Sequence, residues 1–370
     1  MHSLFPKETC LPPKILYQKG CLAELAKETA PFGPRGIIVH GASFEKKGLK
    51  ETLVESFRSS KLAPEFFCRA QGEPTLEEIE RVIRKGREVR ANWIVGIGGG
   101  SVLDLAKAAA GLFHAKEQPA YYQEGGELRE KGIPFIAVPT TAGSGSEATS
   151  NAVIINPEKK VKLSIRHQDF LARKVLLDVE LLQGLPFSVM CQSGMDAWVQ
   201  AYESFISKYA TWFSENFALK AIQLINRHLI PALTNGREED LNGLLLGSFF
   251  SGIAFSHSRL GVIHGIAHPL GVLYGVPHGL ICSVCFAPSI KLNLPVIRQK
   301  YEVMSQTVGM DLLKRVTGVL AELKISSPFK GKAILEKEMI LRETLKSGST
   351  AANPKPVTPE DVLFLLDEIF

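Results

Sequence analysis

The periodicity of the apolar residues changes near residue 185, and this change constrains the fold more than any other feature of the 370-residue sequence. Before it, short apolar or β-branched runs alternate with helical patterns. After it, nearly every segment has the 3.6-residue period of a helix. Alternating strands and helices favour a mostly parallel sheet covered by helices. The sequence therefore predicts an α/β domain over residues 1–183 and an all-helical domain over residues 184–370.

Five segments of the first half have the composition of buried strands, at 36–40, 93–97, 133–139, 153–155 and 175–178. Helical patterns at 75–90 and 102–113 lie between them. In the second half, helices are predicted at 189–206, 212–230, 240–255, 259–270, 279–290, 295–308, 311–323 and 359–370. A loop rich in proline and glycine is predicted over residues 347–359.

Composition and charge exclude several function classes. The net charge of +5 is small and scattered along the chain, so it does not indicate nucleic-acid binding. No apolar run reaches the ~18 residues of a membrane helix, because Pro277, His278 and Pro288 interrupt the candidate at 271–290. The N-terminus lacks the pattern of a secretory signal. We therefore expect a soluble cytoplasmic protein without nucleic-acid or membrane partners.

The six cysteines are too few for a disulfide framework in a chain of this length. Cys282 and Cys285 have the spacing of a redox pair. Their neighbours in the sequence are apolar, however, and such surroundings favour buried, inert thiols.

A glycine-rich turn at residues 96–101 follows a predicted strand and begins a predicted helix. Glycines at 98–100 allow a ligand to approach the backbone closely, and the following helix adds the positive end of its dipole. The turn therefore predicts an anion site, typically for a phosphate or pyrophosphate, which Ser101 could also contact. The spacing is neither that of the Rossmann motif nor that of a P-loop. A tight turn without a ligand is the alternative.

A second polar turn at residues 139–149 also follows a predicted strand. It contains five hydroxyl side chains and two glycines within eleven residues. In open α/β sheets, turns at the carboxyl ends of the strands face a common ligand site. A nucleotide that lies across both turns is the simplest interpretation.

Four of the nine histidines fall within 22 residues, at His257, His264, His268 and His278. His264 and His268 are four residues apart and share one helix face. Single histidines among apolar residues are usually core residues, but this cluster indicates a metal or catalytic role. Imidazole combined with carboxylate suits Zn²⁺ or Fe²⁺.

Asp196 is the best candidate for the carboxylate ligand. It lies near the start of an apolar helix, and Gln200 and Glu203 share its face at i+4 and i+7. The alternative for Asp196 alone is a charge that the helix dipole favours.

Together these residues resemble the iron-containing, group III alcohol dehydrogenase family, which is related to glycerol dehydrogenase and dehydroquinate synthase. The match covers roughly residues 10–290 in order and spacing. Its motifs are Gly98-Gly99-Gly100-Ser101-x-x-Asp104-x-x-Lys107, the turn at 139–149, Ser193-Gly194-Met195-Asp196-Ala197, and His264-x-x-x-His268-Pro-Leu-Gly followed by Pro277-His278-Gly279.

The resemblance implies a nucleotide domain, a metal domain and a homodimer. It places the pyrophosphate over Gly99, Gly100, Ser101, Val102 and Leu103. It lines the nucleotide with Thr140, Thr141 and Thr149, and it brings Lys162 to the nicotinamide end. The implied metal ligands are Asp196, His264 and His278, and His268 is placed beside the reacting carbon.

Three residues depart from the family pattern. Gln200 stands where the family usually has a histidine as the fourth metal ligand. A ligand role for Gln200 is therefore doubtful. The change also makes Zn²⁺ a stronger candidate for the bound metal, relative to Fe²⁺. Gly41 stands where many relatives carry an aspartate, and without that carboxylate a 2′-phosphate meets no repulsion, so NADP becomes feasible. Glu73 replaces an asparagine that the resemblance places near the adenosine end.

The function that the sequence favours is a metal-dependent alcohol dehydrogenase or aldehyde reductase acting on a small alcohol or aldehyde with NAD or NADP. Alternatives are metal-independent reduction of an activated carbonyl, as in maleylacetate-reductase-like relatives, and a dehydroquinate-synthase-like lyase. A non-catalytic nucleotide-binding relative is a further alternative.

Overall fold

A computed structural model describes residues 4–46, 48–69, 72–159 and 161–370. The chain divides into two compact units. The α/β unit contains Cys10–Thr141 and Ser146–Gln183. The helical unit contains Gly184–Phe370 together with two short segments, residues 4–9 and Ala142–Gly145. Both short segments lie within the range expected for the first domain, so part of the second polar turn belongs to the helical unit.

The main sheet of the α/β unit has six parallel strands in the order β1-β8-β5-β4-β2-β3. These strands are β1 (Ile15–Tyr17), β2 (Arg35–His40), β3 (Ala63–Cys68), β4 (Trp93–Gly98), β5 (Phe135–Pro139) and β8 (Lys174–Leu177). A separate antiparallel hairpin consists of β6 (Asn151–Asn156) and β7 (Val161–Arg166). The predicted strand at 153–155 is therefore a strand, but it lies in the hairpin and not in the parallel sheet.

In the part of this unit that the structure describes, six α-helices accompany the strands: α1 (Leu25–Thr29), α2 (Ala42–Lys46), α3 (Leu49–Ser59), α4 (Leu76–Glu88), α5 (Gly100–Gly111) and α6 (Pro119–Gln123). The alanine-rich α5 packs closely on β4, where a Cβ on Gly96 would lie 2.9 Å from the Cβ of Ala106. A capping box of Thr75 and Glu78 fixes the start of α4.

The register of the sheet aligns the ends of its central strands. His40 pairs with Ile97, and Gly98 pairs with Pro139. The segments that follow β2, β4 and β5 therefore leave the sheet at the same, carboxyl edge. This edge is where parallel α/β sheets bind ligands.

The helical unit consists of α7 (Phe187–Ile206), α8 (Trp212–Thr234), α9 (Glu238–Ser258), α10 (Val262–Tyr274), α11 (His278–Val308), α12 (Leu312–Glu322), α13 (Lys337–Lys346) and α14 (Pro359–Ile369). The central helix α7 packs against α8, α9 and α11. The predicted helices at 279–290 and 295–308 correspond to the two segments of α11, which meet at a kink at the non-helical residue Ile297, where φ is −115° and ψ is 17°. Pro295 lacks the backbone donor that would support the helix there.

Among the described residues, α11 is the one helix with the length and composition to cross a membrane. However, 67% of its most apolar window is buried inside the protein. α11 is therefore a core helix of the helical unit. The sequence analysis expected no apolar run of membrane length at 271–290, whereas α11 begins at His278, includes Pro288 and passes the test of length and composition.

Candidate functional site

Three helices of the helical unit place polar side chains in one buried cluster. α7 contributes Asp196, which is 8% exposed. α10 contributes His264 in its first turn, and α11 contributes His278 and Cys282 one turn apart. The sequence predicted the convergence of Asp196, His264 and His278, and the structure brings these three side chains together.

Four atoms of this cluster, one from each residue, all lie within 4.8 Å of one another. Oδ1 of Asp196 is 3.4 Å from Nε2 of His264 and 3.7 Å from Nε2 of His278. Sγ of Cys282 is 3.5 Å from Nε2 of His278. Carboxylate, imidazole and thiol groups at these separations can all bind one divalent cation.

Glu203 orients His264 from the side away from the cluster. Its Oε2 accepts a hydrogen bond of 2.6 Å from Nδ1 of His264, and its Oε1 accepts one of 2.6 Å from the N–H of Ile263. The carboxylate is completely buried. With the proton held on Nδ1, Nε2 of His264 presents a lone pair, as in carboxylate–histidine–metal arrangements. The sequence placed Glu203 on the face of Asp196 but assigned it no role.

Two polar atoms of the cluster are buried without a hydrogen-bond partner among the described residues. They are Oδ1 of Asp196 and Nε2 of His264. An unsatisfied buried polar atom costs about 1–3 kcal/mol. Because both atoms face the same small space, a bound cation would satisfy them together, and the cluster fits a divalent metal.

Gln200 uses both ends of its amide within the protein. Its Nε2 donates to Oδ2 of Asp196 at 2.9 Å, and its Oε1 accepts from the hydroxyl of Ser251 at 3.1 Å. Gln200 therefore holds the second oxygen of the Asp196 carboxylate. This arrangement leaves no free amide oxygen directed at the cluster, in agreement with the doubt about Gln200 as a ligand.

The other two histidines of the sequence cluster do not join the four atoms. The ring of His268 lies beside that of His278, with centroids 5.6 Å apart. Nδ1 of His257 donates to the carbonyl of Ile253 at 2.7 Å, and its ring packs against Phe213. His257, near the end of α9, therefore has a different set of neighbours, and the sequence analysis did not place it among the implied metal ligands.

The carboxylates and the imidazoles of the cluster stabilise each other's charged forms. Burial disfavours the ionised form of Asp196, but the imidazoles of His278 and His264 hold the pKa of this carboxyl below its usual value. Burial likewise disfavours protonated His264, yet Asp196 and Glu203 raise the pKa of this imidazole to about 9. Burial, together with the charge of Asp196, raises the pKa of the Cys282 thiol.

A glycine allows α11 to approach α7 closely enough to complete the cluster. A Cβ on Gly279 would lie 2.3 Å from the carbonyl oxygen of Gln192, a distance that no side chain tolerates. Gly279 directly follows His278 at the start of α11. Because Gly279 has no side chain, α11 can lie close enough to α7 for His278 to approach Asp196.

The α/β unit carries the predicted anion site after β4. Gly99 precedes the first turn of α5, and its carbonyl accepts the N–H groups of Val102 and Leu103 at 3.0 and 3.1 Å. The side chains of Val102 and Leu103 are 6% and 0% exposed, so they belong to the core. The N–H groups of Gly100 and Ser101 precede the first intrahelical bonds of α5, where anions bind.

The second turn meets the first at the carboxyl edge of the sheet. The N–H of Thr140 donates to the carbonyl of Gly98 at 3.0 Å. The hydroxyl oxygen of Thr141 lies 3.1 Å from the position that a Cβ on Gly99 would take. The structure therefore brings Gly99, Thr140 and Thr141 together, as the nucleotide interpretation requires.

Thr149 lies deeper in the unit, in a buried network around Lys107. The ammonium of Lys107 is fully buried and donates to the hydroxyls of Thr149 and Ser146 at 2.8 and 2.9 Å. It also lies 3.7 Å from Oδ1 of Asp104. Thr149 is 2% exposed, so its visible contacts anchor the end of the second turn. The spacing of Asp104 and Lys107 in the first motif thus has a structural role.

Lys162 on β7 forms an ion pair with Glu73, with 2.8 Å between Nζ and Oε1. The sequence analysis placed Lys162 at the nicotinamide end and Glu73 near the adenosine end of a dinucleotide. The ion pair places the two side chains beside each other, whereas the sequence analysis set them near different ends of the molecule. Both assignments stay predictions.

Comparison with known proteins decides the family. The profile of the iron-containing alcohol dehydrogenases matches residues 12–179, and that of the C-terminal region of the Fe-containing alcohol dehydrogenase family matches residues 190–370. The chain belongs to the iron-containing alcohol dehydrogenase family. An alcohol dehydrogenase structure from Oenococcus oeni has a TM-score of 0.93 and 25% identity, with 98% of this chain and 100% of that chain covered.

Two relatives in this family indicate the range of its substrates. The NAD-dependent methanol dehydrogenase of Bacillus methanolicus is 27% identical, with 95% of this chain and 97% of the relative covered. The sulfoacetaldehyde reductase of Bilophila wadsworthia is 30% identical, with 80% and 78% covered. The predicted family and fold class, and the predicted alcohol dehydrogenase or aldehyde reductase activity, are confirmed.

Proposed function

We propose that this alcohol dehydrogenase depends on a divalent metal, Zn²⁺ or Fe²⁺, held by Asp196, His264 and His278. The observation that carries the proposal is a pair of buried atoms, Oδ1 of Asp196 and Nε2 of His264, that lie 3.4 Å apart and make no hydrogen bond among the described residues. The chemistry that a cation supplies in such a cluster is Lewis-acid polarisation of the substrate oxygen. Glu203 and Gln200 hold the imidazole of His264 and the carboxylate of Asp196 in the ligating orientation.

The α/β unit is proposed to bind NAD or NADP at the carboxyl edge of its sheet. The N–H groups at the start of α5 receive the pyrophosphate at Gly99, Gly100 and Ser101. Thr140 and Thr141 line the nucleotide, and Lys162 stays the candidate for the nicotinamide end. Val102, Leu103 and Thr149 support these residues from within the unit.

We propose that His268 accepts the hydroxyl proton of the substrate during oxidation and returns it during reduction. In alcohol oxidation two electrons and a proton leave the carbon as hydride to the nicotinamide, and the hydroxyl proton leaves separately. His268 lies beside His278, and its imidazole can accept that proton and return it during aldehyde reduction. We further expect the enzyme to be a cytoplasmic homodimer that acts on a small alcohol or aldehyde.

Metal analysis of three variants tests the metal proposal. We expect His264→Ala and His278→Ala to lose bound metal together with NAD(P)-dependent turnover. His257→Ala should keep both, because His257 lies outside the cluster. Full turnover by His264→Ala would contradict the ligand assignment. Full turnover by wild-type protein stripped of metal would instead support the metal-independent reductase.

A further inference from the structure

We propose that Cys282 supplies a fourth ligand, a thiolate, to the metal of this enzyme. The proposal rests on the proposed function, since it assumes that Asp196, His264 and His278 hold a cation. In this proposal the fourth metal ligand is not Gln200 on α7 but Cys282 on α11. The apolar neighbours of Cys282 in the sequence predicted an inert thiol, and the structure shows a different environment.

Helix α11 brings Cys282 to the cluster in the same way as His278. The two residues are four apart, so they share one helix face. Sγ of Cys282 lies 3.5 Å from Nε2 of His278 and within 4.8 Å of the atoms offered by Asp196 and His264. Cys282 is completely buried, so its thiol meets the cluster and not solvent.

Three of the six separations between the four candidate ligand atoms match those of a tetrahedral site. Metal–ligand distances of about 2.0–2.3 Å place neighbouring tetrahedral ligands about 3.3–3.8 Å apart. The three measured separations, 3.4, 3.7 and 3.5 Å, fall in this range. Together they join all four residues, Asp196, His264, His278 and Cys282.

The charge of the ligand set also favours Cys282 over Gln200. Asp196 places one negative charge directly on the cation, and Glu203 adds a second only at a distance, through the ring of His264. A thiolate at Cys282 would place another negative charge directly on the cation, which the neutral amide of Gln200 cannot do. When the metal binds, the thiol proton is released to solvent and a metal–sulfur bond forms. The soft sulfur favours Zn²⁺ over Fe²⁺.

Cys285 provides a matched control on the same helix. It is as deeply buried as Cys282 and carries the same functional group. It lies three residues further along α11 and is not a member of the four-atom cluster. A general effect of removing a buried thiol should therefore appear in both variants, whereas loss of a ligand should appear only at Cys282.

Cobalt substitution of the full-length enzyme tests the proposal. Co²⁺ bound to a thiolate gives an intense near-ultraviolet charge-transfer band that nitrogen and oxygen ligands do not give. We expect this band in the wild type and in Cys285→Ser, and its loss in Cys282→Ser. Competition with a chelator should show at least about tenfold weaker Zn²⁺ binding in Cys282→Ser than in Cys285→Ser. Circular dichroism checks that both variants are folded.

A second measurement needs no variant. X-ray absorption of the zinc-loaded wild type should show one sulfur at about 2.3 Å. Metal bound without that sulfur and without the cobalt band would overturn the role of Cys282 and leave the metal-dependent function intact. Loss of the band in Cys285→Ser but not in Cys282→Ser would also overturn it. A wild type that binds neither Zn²⁺ nor Co²⁺ would overturn the metal-dependent function itself, and this proposal with it.

Discussion

At the residue scale, the candidate metal site shows which roles a sequence can and cannot reveal. The family motifs and the residue types identified Asp196, His264 and His278. Glu203 was visible only as a residue that shares a helix face with Asp196, and Cys282 only as one of two closely spaced cysteines among apolar neighbours. Their roles depend on which neighbouring helix each face meets, and helix periodicity does not determine that. The contact between Glu203 and Nδ1 of His264 supplies the missing information.

The substitution Glu203→Gln should weaken metal binding by about 10- to 100-fold. Glu203 accepts hydrogen bonds from both Ile263 and His264, and a glutamine amide offers only one acceptor oxygen. The ring of His264 then loses its orienting partner. Chelator competition measures the affinity, with the exposed Glu239→Gln as control. Equal affinities in the two variants would refute the orienting role.

Gly41 at the end of β2 should permit NADP binding. We expect Gly41→Asp to lower kcat/KM for NADP(H) at least about tenfold, or about 1.4 kcal/mol, relative to NAD(H). The reason is repulsion between the new carboxylate and the 2′-phosphate. A Cβ on Gly41 has its nearest neighbour at 3.6 Å, so the backbone tolerates the change. Gly41→Asn is the matched neutral control, and an identical coenzyme ratio in both variants would count against this prediction.

Glu147, in the second turn, should make folding stability depend on pH. Burial raises the pKa of this carboxyl to about 7, from an ordinary value of 4.5. The unfolded chain therefore releases this proton at lower pH than the folded chain does. The contribution of Glu147 to stability is complete below about pH 4.5 and is lost as the pH rises through 7.

Glu147→Gln removes this ionisation. We expect its free energy of unfolding, relative to wild type, to increase by up to about 3 kcal/mol between pH 4.5 and pH 7.5. Urea denaturation at several pH values measures the difference. Glu80→Gln, an exposed carboxylate on α4, should show no such trend. A constant difference across the range would show that Glu147 ionises normally in the folded protein.

At the scale of elements, periodicity predicted the central strands and most helices, and it failed at the edges. β2, β4 and β5 are buried, continuous apolar runs, which is typical of parallel strands. β3 was missed because it is an edge strand in which Pro64 and Glu65 interrupt the apolar pattern. β1 has only three residues. The two helices expected at 279–290 and 295–308 are present as the two segments of α11, but they meet at Ile297, after Pro295, and not in a gap at 291–294.

The packing of α11 on α7 should fail if Gly279 gains a side chain. Gly279→Ala places a methyl group against the carbonyl of Gln192, so α11 must move and carry His278 with it. We expect a loss of about 1–3 kcal/mol in stability and weaker metal binding. Gly318→Ala on α12 is the control, because a Cβ there meets nothing within 4 Å. If both variants bind metal equally, the close approach at Gly279 does not position the cluster.

At the scale of the whole molecule, the two candidate ligand sites belong to different units of the chain. The metal cluster consists of residues from α7, α10 and α11 in the helical unit. The anion turn consists of Gly99, Gly100 and Ser101 with Thr140 and Thr141 in the α/β unit. The change of periodicity near residue 185 predicted two regions of this kind. It did not predict that residues 142–145, within the second polar turn, would belong to the helical unit, because short loops carry no periodic signal.

This separation predicts that the two ligands stabilise the protein through independent sets of residues. A ligand at 100 times its dissociation constant stabilises the folded state by about 2.7 kcal/mol. Calorimetry should therefore show that Zn²⁺ raises the Tm of wild type and of Gly99→Val, but not of His264→Ala. NADP should raise the Tm of wild type and of His264→Ala, but not of Gly99→Val, because a side chain at position 99 would fill the approach to the helix N-terminus beside Thr141. Each variant is the folding control for the other. If His264→Ala loses its response to NADP as well, the dinucleotide depends on the metal cluster and the assignment of its anchoring phosphates to α5 is wrong.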